Sequence, residues 1–299
     1  MPMRTITAAQ RIRRENATAW MLLAPALVFM GLFTVYPVLR SALQSLTKHR
    51  MGMQPEWVGL DNYMRMAASG TFWKVMANTA LFALMTVVPS MVCGLGLALL
   101  VNRKGRHIGF LRTAYFYPSV MPMIAIASVW MFIYMARNGL FDQMLTAIGV
   151  GPLDVLSKRA TVLPALAFMY VWREAGYLLV FFLSGLQSIN EDVLEAAGID
   201  GATGTKAFFH ITLPLLGPTM LFVSTIALTN CFKLADHIII MTEGAPNNAS
   251  TLLLYYIYQQ GFTNMNYGVS STLTMIMLLL LLVVSLPRFF SQDKKIHYA

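Results

Sequence analysis

The sequence predicts an all-α membrane protein that crosses the bilayer six times. Two observations support this fold class. The 299 residues are 57% hydrophobic and only 12% charged, whereas soluble domains carry about 25% charged residues. The apolar residues are also gathered into six runs, each long enough to cross about 30 Å of hydrocarbon as a helix. The composition therefore excludes an ordinary soluble domain, and the short connections favour one helical bundle.

The six predicted spans follow one another along the chain. They cover Ala19–Leu43, Val75–Val101, Arg112–Ala136, Thr161–Leu186, Leu213–Met241 and Val269–Phe290. Every span contains proline, which a membrane bundle tolerates because neighbouring helices shield the freed backbone groups, so kinks are expected. The first span resembles a signal sequence at its start. However, its apolar run continues to Val38 without a small-residue cleavage site, which predicts a retained helix.

Basic residues indicate how the spans are oriented, because short cytosolic loops carry an excess of lysine and arginine. Such residues precede the first span and follow the second: Arg4, Arg11, Arg13, Arg14, Arg103, Lys104, Arg106 and Arg112. We therefore predict a cytosolic segment 1–18, a transmembrane unit 19–290 and a cytosolic tail 291–299 that carries Lys294 and Lys295. The net charge of +9 is explained by this topology and by contact with membrane lipid headgroups. No basic stripe interleaved with aromatic residues suggests binding to nucleic acid.

A polar insert, residues 187–212, separates spans four and five and faces the cytosol in this orientation. We call it the polar loop. Residues 191–197 predict a short helix whose first turn carries acids, as the helix dipole favours. Gly201 supplies a turn that residues with a side chain adopt less readily, and Phe208 and Phe209 follow on an apolar segment. The loop is therefore predicted to form a surface knob for a soluble partner.

The polar loop resembles the signature of the membrane subunits of bacterial ATP-binding-cassette (ABC) importers. That signature is Glu-Ala-Ala, three residues, Gly, nine residues, Ile, one residue, Leu-Pro, and the chain matches it at Glu195, Ala196, Ala197, Gly201, Ile211, Leu213 and Pro214. Further matches resemble the carbohydrate branch of this family, namely the first membrane subunit of maltose, lactose and glycerol 3-phosphate importers. They include Leu22–Pro25, Trp57–Tyr63, Gly185–Ile189 and Phe232–Asp236. Ala235 and Ala245 depart from the usual pattern, which affects substrate details rather than the class of protein.

The resemblance implies a type I ABC importer permease fold in a bacterial inner membrane, with both termini in the cytosol. It implies one half of a heterodimeric pore with a second, homologous permease subunit. Two cytosolic ATPase subunits would bind ATP-Mg, this chain would bind no cofactor, and an extracytoplasmic solute-binding protein would deliver a sugar, polyol or glycerol phosphate. The residues that couple to the ATPase would be Glu195, Ala196, Ala197, Gly198, Asp200, Gly201, Ala202, Ile211, Leu213 and Pro214.

Polar residues inside spans four and five are predicted to line the solute pathway, because an ionisable group at bilayer depth is costly unless it faces partners or water. The set comprises Arg173, Glu174, Tyr177, Asn230, Lys233 and Asp236. The spacing of Asn230, Lys233 and Asp236 predicts one stripe on a single helix. In the alternative, the four charged residues pair among themselves and fix the register of the helices. The two cations also leave open an anionic solute.

No motif for catalysis or metal binding accompanies these residues, so the chain is not expected to be an enzyme. Gly198–Lys206 lacks the Gly-Lys-Ser/Thr ending of a phosphate loop, and the five histidines are scattered. Cys93 and Cys231 lie in predicted spans and predict neither a disulfide nor a zinc site. A secondary transporter or channel acting without an ATPase is the alternative function, but no internal inverted repeat supports it.

Overall fold

The computed structural model describes residues 8–103, 105–150 and 152–293, with side chains from Glu15 to Leu286. Within these ranges, four helices are long and apolar enough to cross a membrane, and the number of spans is six if each of two bent helix pairs counts as one. The predicted all-α, six-span fold is therefore confirmed. Several residues used to predict the orientation lie outside the described residues: Arg4, Lys104, Lys294 and Lys295.

Span one is one helical rod that stands largely outside the bundle. Helix α1 (Ala8–Met30) continues through a π-helical turn (Gly31–Val35) into α2 (Tyr36–Ser45). The turn ends two residues before Pro37, which has no N–H for the α-helical ladder. Residues 15–40 are exposed apart from Gly31, which is half-buried, and only the end of α2 becomes buried, against α15 (Tyr267–Asp293).

A small folded segment connects spans one and two. It consists of β1 (Thr47–Lys48), which pairs antiparallel with β2 (Glu56–Trp57), and of α3 (Asp61–Ala67). The buried Asn62 donates from its amide nitrogen to the carbonyl oxygens of Ser45, at 2.8 Å, and Thr47, at 2.9 Å. The segment is thereby fastened to the end of span one.

Helices α4 (Gly70–Val101) and α8 (Val162–Gln187) form the centre of the bundle. They approach closely at Gly94, where an added Cβ would lie 3.0 Å from the Cβ of Leu178. Helix α4 begins five residues before the predicted span, because the Ser69 hydroxyl accepts a hydrogen bond from a backbone N–H of its first turn and caps the helix.

The third span is two helices rather than the single one predicted over Arg112–Ala136. Helix α5 (Ile108–Val120) and helix α6 (Met123–Ile133) meet at an angle of 97°. Pro122 explains the break, since the residue before a proline avoids the helical region, and Met121 has an extended ψ of 142°.

The fifth span is also broken, so a single helix over Leu213–Met241 is wrong. Three helices cover this part of the chain: α11 (Leu213–Leu215), α12 (Gly217–Phe232) and α13 (Asp236–Met241). Helix α10 (Gly204–Ala207) and a π-helical turn (Phe208–Thr212) lead into α11. The bend at Leu216 is 69°, with Pro218 in the first turn of α12. After Phe232 the chain leaves the helix and restarts at Asp236, an acid in the first turn of α13, where the helix dipole favours it.

Three further helices complete the fold: α7 (Leu140–Ala147), α9 (Glu191–Ile199) and α14 (Leu253–Tyr258). The main core lies between α4, α8, α12 and α13, and its largest fully buried side chains include Phe82, Tyr170, Phe182 and Ile238. A second cluster joins the start of α4 to α14 and α15.

Candidate functional site

A cavity of about 270 Å³ opens where span four passes the breaks in spans three and five. It is lined by Ser119, Tyr170, Arg173, Glu174, Tyr177, Asn230, Lys233 and Leu234. Five of the six residues predicted for the solute pathway therefore meet in one place. Asp236 does not line the cavity, and the predicted stripe of Asn230, Lys233 and Asp236 on one helix is wrong, because α12 ends at Phe232.

Two of the four intramembrane charges pair with each other. Glu174 is only 1% exposed, and its Oε2 lies 3.8 Å from Nη1 of Arg173. Its Oε1 accepts a hydrogen bond of 3.0 Å from the side-chain amide of Asn230. Among the residues that the structure describes, Lys233 and Asp236 form no ion pair. The predicted charge pairing therefore holds for the two residues of span four alone.

Arg173 also satisfies a backbone group that the break in span three leaves free. Its Nη2 donates to the carbonyl oxygen of Ser119 at 3.3 Å. Ser119 lies in the last turn of α5, where carbonyls have no partner within the helix. A cation at this end also complements the helix dipole. The guanidinium group therefore joins α8 to the end of α5.

Three lining residues were not predicted. Tyr170 lies one helical turn before Arg173 and Glu174, so helical spacing alone could have found it. Ser119 and Leu234 lie in or beside the helix breaks, and neither carries a signal of its own in the sequence.

In the polar loop, α9 is capped at both ends. The side chain of Asn190 accepts a hydrogen bond of 3.0 Å from the N–H of Asp192 at its start. At its end, the N–H of Ala202 donates to the carbonyl of Ala197 at 2.8 Å, across Gly201, whose φ is +79°. This bond across a left-handed glycine is typical of a Schellman ending, so the prediction that Gly201 provides the turn is confirmed.

The turn folds the polar loop around an open hollow of about 480 Å³. The lining residues are Asp192, Val193, Ala196, Ala197, Asp200, Ala202 and Ile211. The other predicted coupling residues lie around it: Glu195 and Gly198 on α9, Gly201 in the turn, and Leu213 and Pro214 in α11. Asp192 and Val193 were not predicted, although they belong to the helix that the sequence indicated. Ile199 is 88% exposed and Phe209 is 60% exposed, so the loop presents apolar side chains outward.

The connection between α13 and α14 is held tightly against the start of α4. The side-chain amide of Asn78 donates to the carbonyls of Asn248, at 2.8 Å, and Thr251, at 3.2 Å. The ammonium group of Lys74 donates to the carbonyl of Asn247. Gly244 has a φ of +83°, and an added Cβ there would lie 2.5 Å from the Thr251 hydroxyl. This connection is therefore a preformed surface at the end of the bundle opposite the polar loop.

Comparison with known proteins places the chain among membrane transport components. Residues 90–294 match the family model described as "Binding-protein-dependent transport system inner membrane component". The chain is 31% identical to the probable starch degradation products transport system permease protein AmyD of Thermoanaerobacterium thermosulfurigenes, over 92% of this chain and 94% of that protein. It is 30% identical to the lactose transport system permease protein LacF of Rhizobium radiobacter, over 98% and 100% of the two chains.

A solved structure shares the fold. A bacterial ABC transporter involved in the import of the polysaccharide alginate contains a chain that superposes with a TM-score of 0.82 at 22% identity, covering 96% of this chain and all of that one. The predicted type I permease fold is therefore confirmed. Together with the family match over most of its length, this shows that the chain belongs to the family of binding-protein-dependent transport system inner membrane components.

Proposed function

We propose that this chain is one half of a heterodimeric pore that imports a sugar or a related small polar solute, such as a polyol or a glycerol phosphate. Two separate ATPase subunits drive the import, and an extracytoplasmic binding protein delivers the solute. The observation that carries this proposal is the polar loop. It is an ordered knob on a membrane bundle, with outward apolar side chains and four carboxylates that form no ion pair with any residue that the structure describes. Such a surface fits a soluble partner.

The packing of α4 and α8 supports a cytosolic position for the polar loop. The two helices run parallel, since Phe82 meets Tyr170 and, further along both, Gly94 meets Leu178. The basic connection that follows α4 and the polar loop that follows α8 therefore lie at the same face of the bundle. Because basic connections favour the cytosol, this arrangement supports cytosolic contact with the ATPase subunits.

Span one supports the presence of a second permease subunit. Its side chains from residue 15 to residue 40 are exposed almost without exception. A helix that packs against so little of its own chain is available to another subunit, with lipid covering the remainder.

The cavity supports a polyhydroxylated solute. Phenol rings and the ammonium group of Lys233 converge on it, and such groups hydrogen-bond hydroxyls and stack on the apolar face of a sugar ring. The names of AmyD and LacF refer to starch degradation products and to lactose. We assign the same class of solute to this chain.

Reconstitution in liposomes tests the proposal. The complete complex, with its second permease, its ATPases and its binding protein, is supplied with radiolabelled lactose, maltose or sn-glycerol 3-phosphate. We expect ATP-dependent uptake of at least one of these solutes and no uptake without the ATPases. Uptake by this chain alone, independent of ATP, would instead establish a secondary transporter or channel.

A pair of glycine variants tests the role of the polar loop. Gly201 and Gly149 both have positive φ, of +79° and +84°, and neither has a neighbouring atom within 4 Å of an added Cβ. Valine strains the backbone equally at either site. We expect Gly201→Val to lower ATP-driven uptake by about fivefold or more, while ATP hydrolysis continues. Gly149→Val, in the connection that follows α7, should retain uptake. Equal effects of the two variants would remove the coupling role from the polar loop.

A further inference from the structure

The breaks in spans three and five both lie against one pair of neighbouring side chains on span four, Arg173 and Glu174. Ser119 lies next to the last residue of α5, directly before the 97° bend. Asn230 lies in the last turn of α12, directly before the chain leaves that helix. Between them, on the unbroken α8, the adjacent Arg173 and Glu174 reach one break each, at 3.3 Å and 3.0 Å.

We propose that Arg173 and Glu174 are positioning residues that tie the breaks of spans three and five to span four, and that they do not bind the solute. We call these two side chains, with the Ser119 carbonyl and the Asn230 amide, the clip. The inference rests on the proposed function, since it assigns roles within the same cavity. Outside the clip, the polar side chains that line the cavity include Tyr170, Tyr177 and Lys233. Tyr170 is only 1% exposed, which leaves Tyr177 and Lys233 accessible to the solute.

The bonding of the clip supports this division of roles. One oxygen of Glu174 accepts from Asn230 and the other faces Arg173, while the carboxylate itself is almost completely buried. A solute that took Arg173 would leave the buried Glu174 carboxylate without its counter-charge, which is strongly unfavourable. Tyr177 lines the same cavity but differs from the clip residues, because its hydroxyl makes no hydrogen bond to another described residue.

The position of the clip along α8 gives it a mechanical consequence. Helix α8 runs without interruption from Glu174 to Gln187, about 20 Å at 1.5 Å per residue. Only three residues separate its end from α9 in the polar loop. A displacement of the polar loop is therefore carried by one rigid helix to both breaks, and the clip makes the two breaks move together with that helix.

A double-mutant cycle on the reconstituted complex tests the clip. The variants are Glu174→Ala, Asn230→Ala and the pair, and the probe is whichever of lactose, maltose and sn-glycerol 3-phosphate the wild-type complex takes up. We expect each single variant to raise the ATP consumed per solute about fivefold, with a change in KM below about twofold. The double variant should be no worse than either single one, because both remove the same tie. A KM that rises additively at a constant ATP ratio would assign both residues to solute binding and overturn the proposal.

Two further variants complete the test. Tyr177→Phe changes the same cavity on the same helix outside the clip, so we expect it to raise KM without changing the ATP ratio. Glu174→Gln keeps an oxygen that can accept from Asn230, and it should fall between wild type and Glu174→Ala. It also replaces the alanine variant if that one assembles poorly. If Glu174→Gln and Glu174→Ala raise the KM for the solute equally and leave the ATP consumed per solute unchanged, the clip is contradicted. Failure of the wild-type complex to take up any of the three solutes would contradict the proposed function itself.

Discussion

Replacing Gly176 by alanine tests the packing that positions the cavity. Gly176 lies on α8 where α5 crosses it, and an added Cβ would lie 2.1 Å from the carbonyl oxygen of Tyr115. That oxygen belongs to the backbone, so no side-chain rotation relieves the clash. Because ordinary contact begins at 3.4 Å, α5 must retreat by about 1.3 Å.

The retreat reaches the clip, because Ser119 lies one helical turn beyond Tyr115. Its hydrogen bond to Arg173, at 3.3 Å, has almost no margin and is lost. Losing a hydrogen bond to a charged group costs about 1.5–3 kcal/mol, and overpacking costs about 1–3 kcal/mol. We therefore expect Gly176→Ala to lower the free energy of unfolding by about 3 kcal/mol.

Unfolding in detergent, followed by tryptophan fluorescence, measures this loss. The matched control is Gly96→Ala in α4, where an added Cβ meets no atom within 4 Å. That variant should be as stable as wild type or slightly more stable, because alanine favours a helix interior over glycine by about 0.5–1 kcal/mol. If Gly176→Ala unfolds at the same denaturant concentration as Gly96→Ala, the close approach of α5 and α8 does not exist in the protein.

Other parts of the chain give further predictions. Asn78→Ala removes the side chain that donates to the carbonyl of Asn248, so protease added from outside should cleave the connection between α13 and α14 faster. Unchanged cleavage would contradict the anchoring role of Asn78. Asp142 is buried and accepts hydrogen bonds from two backbone N–H groups, so Asp142→Ala should destabilise the connection that contains α7 by about 1.5–3 kcal/mol, as measured by hydrogen exchange. Ile199 is 88% exposed, and Ile199→Cys should react with an impermeant thiol reagent only when the reagent is added on the cytosolic side. Val150→Cys should react only from the outside. The reverse pattern of labelling would show that the predicted orientation is wrong.

The spans were predictable from hydropathy, and their breaks were only partly so. The predicted fourth span, Thr161–Leu186, differs from α8 by one residue at each end, because an unbroken apolar run has one low-energy form in a membrane. Proline signals the break in span three. No glycine or proline lies between Asn230 and Asp236, so the sequence carries no mark of the break after Phe232.

The sequence was sufficient to predict most of the charged and polar residues that line the cavity, but not their hydrogen-bond partners. Arg173 and Glu174 stand out because ionised groups are rare at bilayer depth. Their partners do not stand out. The carbonyl of Ser119 is a backbone group 54 residues away from Arg173, and it becomes an acceptor only because α5 ends there. The pattern of side chains in a sequence does not show which backbone carbonyls lose their helical hydrogen-bond partner where a helix breaks.

The contact between the first and last helices constrains how the chain is made. Ser45 accepts from Thr272, and Gln44 accepts from Ser271, each pair being 227 residues apart in sequence. During synthesis, the first helix enters the bilayer long before α15 exists, and it has almost no other partner within its own chain. It must therefore wait in lipid until the last helix has been translated. Chains cut short before α15 lack these two bonds, and the end of the first helix then keeps its attachment to Asn62.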